Sequence, residues 1–126
     1  MPWLLRGDRV LANIEIADSA SGRARGLLGR TGLDGAMLLE PAPSVHTIGM
    51  KFPIDVAHCV RSDDHLVVRH IQTLEPNRMG RPHPRARVVI EAESGSFERW
   101  GLVVGDELSI SGEGATGDGM AFGVTA

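Results

Sequence analysis

Alternation of apolar and polar side chains, more than helical spacing, patterns this chain. Over Arg9–Ala17, Val10, Ala12, Ile14 and Ile16 alternate with Leu11, Asn13 and Glu15, the period-two signature of a half-buried strand. The period then changes. Asp18 or Ser19 can cap a helix over about 19–30, in which Ala20, Ala24, Leu27 and Leu28 fall on one stripe at i, i+4, i+7 and i+8. Arg23 and Arg30 flank that stripe on one side and Arg25 on the other. Gly22 and Gly26 each weaken a helix by about 1 kcal/mol relative to alanine, so close packing against a sheet must compensate.

Beyond the helix the strands are short. Ala36–Leu39 and Ser44–Met50 are separated by the breaker Pro41-Ala42-Pro43. Ile54–Val60 and Leu66–Ile71 flank the turn Ser62–His65, which predicts a hairpin. Residues 74–87 carry three prolines, a glycine and four arginines and read as a loop. Arg87–Glu93 is a further strand, Ser96–Trp100 a short second helix, and Gly105-Asp106 a turn into a last strand, Glu107–Ser111. The pattern predicts a mostly β (α+β) fold: a compact barrel- or sandwich-like antiparallel sheet of about seven short strands with one packed helix. A globular domain over 1–111 is expected to be followed by a Gly-rich, disordered tail over 112–126.

Composition narrows the function classes. At 126 residues the chain suits one domain. It has 4% aromatic residues, no tyrosine and a net charge of −3, so it offers neither stacking platforms nor a general pull toward nucleic acid. Cys59 is the single cysteine, which rules out an intrachain disulfide. The N-terminus lacks the apolar run of roughly 7–15 residues of a signal peptide, and no stretch approaches the roughly 20 of a membrane span. A cytoplasmic location is the expectation.

From Arg23 to Ile110 the order of motifs resembles domain-of-unknown-function family 192. The matching pieces are Arg25-Gly-Leu-Leu-Gly-Arg30, Gly35-Ala-Met-Leu-Leu39, His46-Thr-Ile-Gly-Met-Lys-Phe-Pro-Ile-Asp55, Val88-Val-Ile-Glu-Ala92 and Gly101-Leu-Val-Val-Gly-Asp106. The resemblance implies a small β-barrel-like fold with the helix packed beside it. It implies no activity.

Candidate chemistry concentrates in Val45–Asp55. On an extended strand His46 and Met50 would share a face with Ile48, a pairing that suits copper(I) if Cys59, His58 or His83 completed it. Two local ligands are too few, and no zinc spacing is present, so no metal is expected. A histidine at a cavity mouth and a gap-filling methionine is the simpler reading. Asp55 opens an apolar strand, where a carboxylate must be paired or hydrogen-bonded. It could act as a general base or ligand acceptor beside His46. The structural alternative is that it accepts N–H groups from its own loop or pairs with Arg25 or Lys51. Arg78, Arg81, His83, Arg85 and Arg87 would suit an anionic ligand or an acidic partner, against the simpler pairing with Glu75, Glu91 or Glu93. Cys59 reads as a small buried hydrophobe. Gly112–Gly117 matches G-x-G-x-x-G, but the nine residues after it leave no room for the helix and strand of a dinucleotide fold, so no cofactor is expected.

The sequence therefore describes a small binding module. Arg25, His46, Met50, Lys51, Asp55 and Arg78 would line a polar site around residues 46–55 for an unidentified small polar ligand. A protein-interaction module docking through the basic 78–87 loop is the alternative. A hydrolase-like His/Asp pair comes third.

Overall fold

The computed structural model describes residues 2–17 and 30–112. Residues 19–29 of the predicted helix, Arg25 among them, and the tail beyond Gly112 lie outside the described residues. The strands are β1 (Trp3–Arg6), β2 (Arg9–Ala17), β3 (Ala36–Leu39), β4 (Ile54–Ser62), β5 (His65–Leu74), β6 (Val88–Glu93) and β7 (Glu107–Ser111), with one short helix, α1 (Ser96–Trp100), before the last strand. They close into a barrel in the order β1-β2-β3-β6-β4-β5-β7, β7 pairing back onto β1.

Two features depart from the pattern of the sequence. Neighbours run antiparallel except β2 and β3, which are parallel. Ser44–Met50 is not a strand, retaining only an isolated bridge between His46 and Met79. Its backbone bonds go instead to the 75–80 loop: Thr47 N–H to Arg78 O, Asn77 N–H to Thr47 O and Gly80 N–H to Val45 O. Gly49, at φ 83°, then turns the chain away. The seventh strand is β1, whose adjacent Leu4 and Leu5 conceal the alternation that reveals β2.

The barrel interior takes buried residues from all seven strands, among them Leu4, Ile14, Leu38, Cys59, Val68, Ile90 and Ile110. Phe97 of α1 and Leu102 after it join this core. The helix ends at Gly101, left-handed at φ 68°, and the N–H groups of Gly101 and Leu102 return to Glu98 O and Phe97 O.

A second apolar cluster covers the outer face of β3, β6 and β4. Met37, Val89, Ile54 and Val56 pack there against Val45, Met50 and Phe52 of the 40–53 segment. That segment and the 75–87 loop form an irregular ribbon over the sheet. Its position decides where a site can exist.

Candidate functional site

The hairpin β4–β5 places two histidines side by side. His58 pairs in register with His70, both on the outer face that the ribbon covers. The register shifts between His58 and Cys59, leaving Arg69 as an extra residue on β5. Strict alternation would send Arg69 and His70 to opposite faces. With the bulge, both line one pocket of about 390 Å³, together with Val60, Pro82, His83, Pro84, Arg85 and Ala86. That volume is in the range of small-ligand sites.

The 82–86 wall is anchored at several points. His83 N–H donates to Pro43 O and Ala86 N–H to His83 O. Gln72 clamps Arg81 twice, its Oε1 accepting from Arg81 N–H at 3.0 Å and its Nε2 donating to Arg81 O at 3.2 Å. Pro82 and Pro84 restrict the backbone further. His83 therefore sits fixed, stacked on His70 with ring centroids 3.9 Å apart and tilted against His58 at 4.4 Å.

His58 is fully buried. Because Gln72 presents both amide atoms to Arg81, its orientation is set, and its Nε2 must donate to His58 Nε2, 2.8 Å away. That assigns the proton of neutral His58 to Nδ1, which is buried without a hydrogen-bond partner of good geometry. Burial, then the neighbouring His83, push the imidazole down to about 4, a backbone contact at Ala86 opposing them in part. His83 is lowered too, by burial and by the nearby His70 and Arg81.

At neutral pH the buried His58 ring is therefore uncharged. Arg69 and Arg85 bring permanent positive charge to the pocket, and among the described residues neither has an ion-pair partner. The arginines of the basic loop make no ion pair with Glu75, Glu91 or Glu93 there either. Glu91 instead lies buried on the outer face, paired in register with Met37 and Val56, where burial pushes its carboxyl up to about 7.

The residues singled out around 46–55 have separate surroundings. Asp55 Oδ2 accepts the N–H groups of Gly95 and Phe97 at 3.0 and 3.1 Å, and its Oδ1 accepts the Thr73 hydroxyl at 2.9 Å. Its donors thus come from β5 and from the start of α1, forty residues on, and not from its own loop. His46 is exposed and its Nδ1 accepts Ile48 N–H. Met50 is buried in the outer cluster, while Lys51 and Arg78 are exposed. No hydrogen bond or ion pair joins any two of these five among the described residues. Arg25 lies outside them. Cys59 faces the barrel interior, back to back with His58, and burial pushes its thiol up to about 12. No three His, Cys, Asp or Glu side chains among the described residues are grouped as a metal site would require.

The sequence points to His83 and Arg85 through the charge of their loop. It does not point to Arg69, His70 or Gln72. Counting back from the turn without a bulge sets His58 opposite Arg69.

The fold and this pocket define a small closed β-barrel with a cationic, histidine-floored cavity under a proline-rich loop. The chain belongs to the DUF192 family, described as "Uncharacterized ACR", whose profile matches residues 4–110. No curated protein matches it. Among solved structures it is similar to a protein of unknown function from Novosphingobium aromaticivorans DSM 12444, at 22% identity and TM-score 0.66, over 86% of this chain and 83% of that one. It is similar also to a protein from Sinorhizobium meliloti 1021 described as a candidate transcription regulator, at 22% identity and TM-score 0.66, over 85% and 89%. Both likenesses concern the fold. No helix among the described residues is long and apolar enough to cross a membrane.

Proposed function

We propose that this protein is a small binding module whose ligand is an organic anion with an apolar body. One observation carries the reading: Arg69 and Arg85, without carboxylate partners among the described residues, converge on a 390 Å³ pocket floored by the His70–His83 stack. Guanidinium groups suit a carboxylate or phosphate, and Val60, Pro82, Pro84 and Ala86 offer apolar contact to the remainder. In this reading the 40–53 segment builds the platform, because Pro43 and Val45 hold the loop that carries His83.

Benzoate titrated into ¹⁵N-labelled protein tests it. The ring signals of His70 and His83 are expected to move saturably, and Arg69→Ala or Arg85→Ala should each weaken binding about tenfold, the worth of one charged hydrogen bond. Unmoved histidines, or equal movement with benzyl alcohol, would sink the proposal.

A second reading, docking of an acidic protein partner through the 78–87 loop, is favoured by one feature. Met79 is 70% exposed and lies opposite His46, with Ile48 53% exposed nearby. Movement of the Met79 methyl signal by an acidic peptide, with the histidines unmoved by benzoate, selects this reading.

A further inference from the structure

A larger cleft, of about 580 Å³, lies away from the histidines, between the β1–β2 hairpin, the 33–35 segment and α1. The chain has two tryptophans, and both line it: Trp3 from β1, 43% exposed, and Trp100 from the end of α1, half-buried. Val10, 53% exposed, adds to the same apolar wall. In a chain with so few aromatic side chains, this convergence leaves indole surface unburied at one place.

The opposite rim is acidic and held in position. Gly35, at φ 91°, packs so closely that a Cβ there would stand 2.6 Å from Asn13 O, which fixes the backbone beside Asp34. On the other side Leu33 N–H donates to Glu93 Oε2 at 3.1 Å. Glu93 thus spends one oxygen, whereas Asp34, exposed at the cleft, has no partner among the described residues. Among the described residues the one cation lining the cleft, Arg99, turns back along its helix and donates to Ser96 Oγ at 3.0 Å. Two carboxylates against one inward-turned guanidinium leave the described lining of the cleft net negative, the reverse of the histidine pocket.

We propose that this cleft is a second binding site, for a ligand with a planar apolar body and a cationic head such as a primary ammonium or amidinium. The planar body packs on Trp3 and Trp100, the ammonium pairs with Asp34, and the indole faces attract the same positive charge. The cleft's walls are short loops and strand ends already held by hydrogen bonds, so a ligand meets a site that needs little ordering.

Benzylammonium chloride titrated into the full chain tests the assignment, read from the two indole N–H signals. Both are expected to move saturably, and Asp34→Asn should weaken binding about tenfold, a difference of about 1.4 kcal/mol. Benzyl alcohol and benzoate should move them far less. Indole signals that stay still overturn the site. Equal movement with benzyl alcohol, or unchanged affinity in Asp34→Asn, overturns the cationic class. Because Arg69 and Arg85 lie elsewhere, Arg69→Ala should leave this titration unchanged, which separates its failure from that of the anion site.

Discussion

Asp55 illustrates how much a single side chain can connect. Its carboxylate receives one hydroxyl from β5 and two N–H groups at the start of α1, tying the helix that carries Phe97 to the end of the barrel. A buried acceptor removed from such donors costs far more than a hydrogen bond contributes when made, because the donors are left dry. Asp55→Ala is therefore expected to destabilise the fold by about 3 kcal/mol, and Asp55→Asn, which keeps the shape and loses the charge, by roughly 1 kcal/mol. Urea unfolding at unchanged slope measures both. Equal losses in the two variants would show that charge, not hydrogen-bond number, holds the helix. The same residue scale explains the contrast between His58 and Cys59. Adjacent in sequence, they face opposite sides of β4, one toward the pocket and one into a dry core.

Among the elements, the ribbon made by residues 40–53 and 75–87 does most to create a site. It has almost no regular structure, and Thr47 holds it together. The buried Thr47 hydroxyl donates to Glu75 O and accepts Arg78 N–H, while its backbone bonds to Arg78 and Asn77. Thr47→Val keeps the volume and leaves those partners unmatched, so a loss of about 2 kcal/mol is expected. The amides of Asn77 and Arg78 should also exchange faster with solvent. Unchanged exchange there, with stability lost elsewhere, would place the hydroxyl's role outside the ribbon. The bulge at Arg69 is the second decisive element, because one extra residue re-aims two side chains into one pocket.

Across the whole molecule, two buried groups set opposing pH dependences. His58 titrates at about 4 when folded against an ordinary 6.5, so the unfolded chain binds the extra proton between those values. Stability therefore rises with pH through that window and is lost on acidification, by about 3 kcal/mol in all. Glu91 titrates at about 7 against an ordinary 4.5, so here the folded chain holds the extra proton and stability falls as pH rises from 4.5 to 7, by a similar amount. Between 4.5 and 6.5 the two slopes cancel. His58→Gln should unmask the falling limb and Glu91→Gln the rising one, as read from urea midpoints across pH. Parallel curves for both variants and the parent would refute this balance.

Much of the architecture was legible. Period-two alternation placed β2, short apolar runs beside turn residues placed β3, the β4–β5 hairpin, β6 and β7, and the breaker residues marked the loops between them, because those signals are local. The charge of the 78–87 loop announced a cationic surface for the same reason. The site itself was not legible. Val45–Asp55 holds the densest set of reactive side chains, yet Asp55 serves α1, Met50 the outer core and His46 its own turn. Closure through β1, the parallel pairing of β2 with β3, and the meeting of His58, His70 and His83 depend on register and on contacts distant along the chain. A single bulged residue changes which histidine faces which, and no local pattern encodes it. What the sequence alone determined is a small β-rich domain with its charges in known loops. What only the tertiary structure decided is which of those charges share a cavity, because that follows from closing the barrel and seating the ribbon on its outer face.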